Sequence, residues 1–185
     1  KVLGESWYPG DTVITGIGQG MILVTPLQIV TMVAAIANGG TLHRPWMGKR
    51  VESWGGEVVA AYGPEPVRKV NLSPEVLELL RQGMLRVVDE GTGRAARVRG
   101  VQVAGKTGTA QVVRKEAGIS GQTKDHGWFV AFAPYTDPEI AIVVIAEHAG
   151  FGGVAAAPVA RAVLEAAFAP SRGRETVAQG PAARE

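Results

Sequence analysis

The strongest constraint on this chain comes from two apolar runs a few residues apart. Trp128-Phe129-Val130-Ala131-Phe132-Ala133 and Ile140-Ala141-Ile142-Val143-Val144-Ile145-Ala146 are apolar at both parities. A strand with one face in water alternates apolar and polar side chains, whereas one that is apolar throughout has to be covered on both faces. Thr136-Asp137-Pro138 between the runs reads as a turn, because proline presets φ and aspartate bonds to its own backbone. The runs are expected to pair as central antiparallel strands with both faces covered.

Three helices are available to cover them. Thr25-Pro26-Leu27-Gln28 is a helix start, with Thr as N-cap, Pro at the first helical position and Gln reaching back to the cap. This helix should run to about Asn38, where Gly39-Gly40 stops it. Leu27, Ile29, Val30, Met32, Val33 and Ile36 surround a narrow stripe of Gln28, Thr31, Ala35 and Asn38, so it belongs inside a domain. Ser73-Pro74-Glu75 opens a second, half-exposed helix with Leu77, Leu80, Met84 and Val87 opposite Glu78, Arg81, Arg86 and Asp89, ended by Gly91-Thr92-Gly93. Gly83 within it costs about 1 kcal/mol relative to alanine, which points to close packing against another backbone. Pro158 suits the first turn of a closing helix, Val159 to Phe168, with Val159, Val163 and Ala167 as its inner stripe.

Val51 to Trp54 and Val58 to Tyr62 around Gly55-Gly56 read as a peripheral hairpin. Val101-Gln102-Val103-Ala104 alternates like a strand and leads into Gly105 to Gln111, followed by a polar loop from Arg114 to Asp125. The expected fold is α+β: antiparallel strands near 101–109, 127–134 and 139–147, with helix 26–38 on one face and helix 157–168 on another. Residues 1–169 are read together as a domain half. Residues 170–185, without periodicity and with almost no large apolar side chain, read as a disordered tail.

Composition removes several function classes. Nineteen Lys and Arg against seventeen Asp and Glu leave a net charge of +2, and the basic residues are scattered, which argues against nucleic-acid binding. The absence of cysteine rules out disulfides and thiolate zinc sites and leaves the redox compartment open. No run approaches the roughly 20 apolar residues of a membrane span, and Lys1 to Ser6 lacks the layout of a signal peptide. Any export signal or anchor is expected outside this chain. His43, His126 and His148 are far apart and lack acidic partners at helical spacing, so neither a metal nor another cofactor is expected.

The sharpest chemical signal is Lys106-Thr107-Gly108-Thr109, which presents a cation, two hydroxyls and an unobstructed backbone on a strand edge. Lys106 and Gly108 project from one face and Thr107 and Thr109 from the other, unless twist brings both sets to the rim. The free N–H and C=O groups of an edge strand can pair with an extended peptide or amide ligand. Taken alone, the tripeptide arises by chance in many proteins and usually marks a plain strand running into a turn. Gly16-Ile17-Gly18-Gln19-Gly20 does not fit a dinucleotide loop and reads as a tight structural turn before the first helix. Trp128 and Phe129 are core residues first. His126 stands at the start of the strand pairing with the Lys106 segment, near the cleft, and reads as a solvent-facing loop histidine, Glu147-His148 as a rim pair, and residues 112–126, including Arg114, Lys115 and Lys124, as a mobile cleft rim.

The surroundings of this tetrapeptide carry a family resemblance. Gly10-Asp11-Thr12, Gly16 to Gly20, Thr25 to Gln28, Ala35 to Gly40, Gly91-Thr92-Gly93, Ala104 to Gln111 and Gly127 to Pro134 resemble, in order and spacing, the class B penicillin-binding proteins. These are the serine transpeptidases that cross-link bacterial peptidoglycan. The likeness spans about residues 4–168, and its flavour is closest to the elongation-type enzyme. The superfamily signature is Ser-x-x-Lys, Ser-x-Asn and Lys-Thr-Gly. Only the third element stands in this sequence: no serine has a lysine three residues on, and neither Asn38 nor Asn71 has a serine two residues before it.

The resemblance implies that both other elements lie upstream of Lys1, so the isolated chain is expected to be inactive. It implies that Lys106 sets positive charge near the substrate carboxylate and assists proton traffic, and that the Thr107 and Thr109 hydroxyls bind that carboxylate beside the bare Gly108. The Thr109 N–H would complete an oxyanion hole with the N–H of the absent serine. The implied partners are the N-terminal portion of the same protein, a peptidoglycan stem peptide, β-lactams and a membrane glycosyltransferase of the elongation complex. The implied location is the extracytoplasmic face of the bacterial inner membrane. The rival reading is a non-catalytic β-lactam or peptidoglycan sensor, or a docking module, with the same fold.

Overall fold

The computed structural model describes residues 6–20, 22–111 and 124–169. The expected tail from Pro170, and Arg114 and Lys115 of the expected rim, lie outside the described residues. In chain order the elements are α1 (Pro9–Gly16), α2 (Pro26–Ala37), β1 (Thr41–His43), β2 (Arg50–Glu52), β3 (Val58–Ala61), β4 (Pro66–Lys69), α3 (Pro74–Asp89), β5 (Ala104–Ala110), β6 (His126–Ala133), β7 (Ile140–Ala146), α4 (Gly152–Ala155) and α5 (Ala157–Ala167). A single 3₁₀ turn, Arg94–Ala96, lies between α3 and β5.

Strand β6 is central. It pairs antiparallel with β5 on one side, Lys106 opposite Val130 and Thr109 opposite Gly127, and with β7 on the other, Val130 opposite Val143. Its side chains alternate between two cores. Phe129, Ala131 and Ala133 pack with Val88, Ala96, Val103, Ala157, Ala160 and Leu164, whereas Val130 and Phe132 pack with Val33, Ala37, Met84 and Ala104. Helix α2 therefore covers one face and α5 the other, as the apolar runs required, and the fold is α+β. Helix α3 serves both cores, Met84 in one and Val88 in the other.

The helix starts follow their capping chemistry. Gln28 N–H donates to Thr25 Oγ1 at 3.2 Å while Thr25 N–H donates to Gln28 Oε1 at 2.8 Å. Val76 N–H donates to Ser73 Oγ at 3.4 Å. The hairpin β2–β3 forms around Gly56, whose φ is +82°.

Several expectations are corrected. Val101 is not in the strand: it closes a bridge to Val98 around Gly100, whose φ is +80°, and the strand begins at Ala104. On α5 the inner residues are Ala157, Ala160 and Leu164, with Val159 and Val163 each 49% exposed. The alanine face lets the helix approach the sheet, and this outweighs the larger side chains. On α2 the buried residues are Val33, Ala35 and Ala37, while Leu27 and Met32 face outward. On α3 Leu77, Met84 and Val88 are buried, and Leu80 is exposed. A Cβ at Gly83 would meet nothing within 4 Å, so no neighbouring backbone explains that glycine. Strand β7 is half-buried with Ile145 exposed, so its faces are less covered than its apolar run implied, and among the described strands it is an edge. Helix α1 and the pairing of β1 with β4 have no counterpart in the sequence reading.

Arg81 ties these layers together. Its guanidinium donates to the carbonyl oxygens of Ala37, at the end of α2, and of Tyr135, after β6. It also stacks over the Phe132 and Tyr135 rings at 5.4 and 5.2 Å. The Tyr135 hydroxyl donates to Glu78 at 2.7 Å. That bond, followed by one from Gln82, holds the Glu78 carboxyl below its usual range and raises the tyrosine.

Gly83→Ala is expected to stabilise the fold by about 0.5–1 kcal/mol, read by denaturant unfolding. Destabilisation would mean that α3 needs the bare position. A carboxyl with a lowered folded pKa stabilises above its unfolded value, and that contribution is lost as pH falls through the folded one. Tyr135→Phe is therefore expected to lower stability at neutral pH and to flatten the acid limb of the stability–pH curve.

Candidate active site

The Lys106–Thr109 segment sits on β5, which pairs with β6 on one side only among the described strands. Lys106 is exposed and Thr107, Gly108 and Thr109 are half-buried, so the segment is not packed inward. Lys106 and Gly108 share the face of Trp128 and Val130, their partners across the ladder. Thr107 and Thr109 share the opposite face. The length of the lysine side chain joins the two sets: its Nζ curls to the strand rim and donates to the carbonyl of Thr107 at 2.7 Å.

Three further elements converge on this strand. Thr92, in the turn that ends α3, places its Oγ1 2.7 Å from Thr107 Oγ1. That turn is pressed onto its helix, because a Cβ at Gly91 would lie 2.8 Å from Val87 Cα and one at Gly93 3.1 Å from Val87 Cγ1. Gln19, in the loop after α1, donates from Nε2 to the Thr109 carbonyl at 2.9 Å across 90 residues of sequence. Helix α4 backs the strand through two glycines. A Cβ at Gly152 would overlap the carbonyl oxygens of Trp128 and Gly108, and one at Gly153 would overlap that of Thr92.

Two residues carry readings that change. A Cβ at Gly108 would lie 3.2 Å from Trp128 Cβ, so packing against the neighbouring strand already demands a small residue there. His126 is the first residue of β6, opposite Ala110, and is half-buried instead of lying in a solvent-facing loop. Its Nδ1 accepts the His148 N–H at 3.0 Å and the two rings meet edge-on at 4.6 Å. Phe129 is fully buried, as a core residue should be, while Trp128 is half-buried on the lysine face.

The result is a strand rim with one ammonium, the hydroxyls of Thr92, Thr107 and Thr109, and edge amides. Such a set can bind a carboxylate, since hydrogen bonds to an ionised group contribute about 1.5–3 kcal/mol each. Its open edge can also take an extended ligand as an added strand. Residues 2–165 match the penicillin binding protein transpeptidase domain. The chain belongs to this family.

Among relatives of the transpeptidase family, the peptidoglycan D,D-transpeptidase MrdA of Haemophilus influenzae is 40% identical over 172 residues, covering 86% of this chain and 26% of that protein. Of solved structures, PBP2 of Pseudomonas aeruginosa superposes with a TM-score of 0.74 at 36% identity, over 91% of this chain and 35% of that one. Penicillin-binding protein A of Mycobacterium tuberculosis, solved as a ceftriaxone acyl-enzyme complex, gives 0.73 at 33% identity, over 84% of this chain and 35% of that one. The chain thus spans about a third or less of the relatives that it matches.

Gly152→Ala is expected to cost about 1–3 kcal/mol, since a Cβ forced into backbone oxygen shifts the strand. Gly10→Ala, with open space around it, should cost nothing. Equal unfolding midpoints for both variants would show that α4 does not brace β5.

Proposed function

We propose that this chain is part of a peptidoglycan D,D-transpeptidase and forms the wall of its active site that binds the substrate carboxylate. The observation that carries the reading is the rim of β5, where the Lys106 ammonium and the Thr92–Thr107 hydroxyl pair lie beside a strand edge that is unpaired among the described strands.

The chemistry needs a serine from another segment. Its oxygen attacks the D-Ala-D-Ala amide carbonyl of a stem peptide, the C–N bond breaks, and the terminal D-alanine leaves with a proton on its amine. The acyl group then passes from serine to an amine of a neighbouring strand. In this scheme Lys106 provides positive charge for the substrate carboxylate and a route for protons. The Thr107 and Thr109 hydroxyls bind that carboxylate, with Thr92 holding and extending the set. The Thr109 N–H joins the serine N–H in stabilising the oxyanion, a donor typically worth about 10²–10³ in rate. A β-lactam presents a similar amide and traps the serine.

The covering partner in this reading is the remainder of the same domain. The exposed faces of Ile14, Ile17, Leu23, Leu27 and Met32, together with the edge of β7 that is free among the described strands, give it apolar surface to bury. Placement outside the inner membrane, beside a glycosyltransferase of the elongation complex, belongs to the same proposal.

Fluorescent penicillin is expected to label the full-length protein and to leave this chain alone unmarked. In the full-length protein Lys106→Ala is expected to slow acylation at least about tenfold with little change in melting temperature. Covalent labelling of the isolated chain would overturn the mechanism, and loss of folding in the lysine variant would make Lys106 structural.

A further inference from the structure

Gln19 reaches the active-site strand from the far end of the chain. Its loop is shaped for this: Gly18 and Gly20 on either side have φ of +77° and +97°, values that side chains with a Cβ rarely adopt. The Gln19 N–H donates back to Ile14 O of α1 at 3.1 Å. The backbone is thereby held at a helix end, and the half-buried carboxamide is delivered to Thr109 O at 2.9 Å.

The carbonyl it takes is informative. In an antiparallel strand the N–H and C=O of one residue point to the same side, and residues two apart share that side. Thr107 and Thr109 both give their carbonyls to side chains, Lys106 and Gln19. Thr109 is also one residue from the end of β5, where strands fray most readily. A bond that fixes its carbonyl also fixes the direction of its N–H.

We propose that Gln19 is a positioning residue for acylation: it holds the outer carbonyl of Thr109 so that the Thr109 N–H stays aimed at the developing oxyanion. This rests on the transpeptidase reading above. The contact is to backbone, so it leaves the Lys106 ammonium and the threonine hydroxyls in place. Ground-state binding of the carboxylate is therefore preserved, and the transition state alone loses stabilisation.

The test uses the full-length protein, unsubstituted and as Gln19→Glu and Gln19→Met, with the rate of acylation by a penicillin followed over a range of concentration. Both variants are expected to lower the saturating rate about tenfold, because a misaimed donor loses part of what a removed one loses. The concentration giving half the saturating rate should move less than about twofold, since that quantity follows ground-state binding. Melting temperatures should stay within about 2 °C. A saturating rate within about twofold of the unsubstituted protein, or a loss confined to the half-saturating concentration, would overturn the inference while leaving the transpeptidase reading intact. A collapse of melting temperature in both variants would make Gln19 a structural anchor of α1 and overturn it equally. If the unsubstituted protein takes up no penicillin, the functional reading falls and the role of Gln19 with it.

Discussion

The two-sided burial of β6 is the constraint on which everything else depends. Phe129 and Phe132 are both fully buried, yet they face opposite cores. Full burial of one such side chain contributes about 1.5–3 kcal/mol, and a one-residue slip of the strand would exchange the two faces. The register of β5 follows from that of β6. Gly105 is paired with Ala131, and a Cβ there would lie 2.6 Å from the diagonal Phe129 ring, so the buried phenylalanine admits only a bare residue at that point of β5. Lys106 to Thr109 are held opposite Val130 to Gly127 by core packing that involves none of their own chemistry.

The second layer of control is polar. Arg81 collects the end of α2, the turn after β6 and the Glu78–Tyr135 pair into one cluster. Two of its N–H groups are held by backbone carbonyls, and displacing either carbonyl would leave a further buried donor unpaired, which costs more than the bond it made. The cluster sits beside the same core that packs Ala104 at the start of β5, so its rigidity is passed to the strand that carries Lys106.

What the sequence disclosed follows from the range of the interactions involved. The two apolar runs, the Thr25 and Ser73 caps and the Gly55-Gly56 turn are local, and each formed where its residues placed it. Helix faces were less legible: on α5 the reading followed Val159 and Val163, the larger side chains, while close approach to the sheet is made by Ala157 and Ala160. Gly83 misled for the opposite reason, since a glycine inside a helix suggests a neighbour and none lies there. In the candidate site, Lys106 to Thr109 stood out because four adjacent residues carry the pattern. Thr92, Gln19 and Gly152 did not, because their partners lie 15 to 90 residues away or are backbone atoms.

Those distant partners hold an exposed strand rim in place. Misplacement of a catalytic group by about 1 Å can cost on the order of a hundredfold in rate, and edge strands are among the less rigid parts of a sheet. Here the rim is fixed from three directions by contacts to its backbone or to a hydroxyl: Gly152 against the Gly108 carbonyl, Thr92 on Thr107, and Gln19 on Thr109. Each comes from a loop or short helix pinned to a helix end. The groups that could let the strand drift are thereby already occupied.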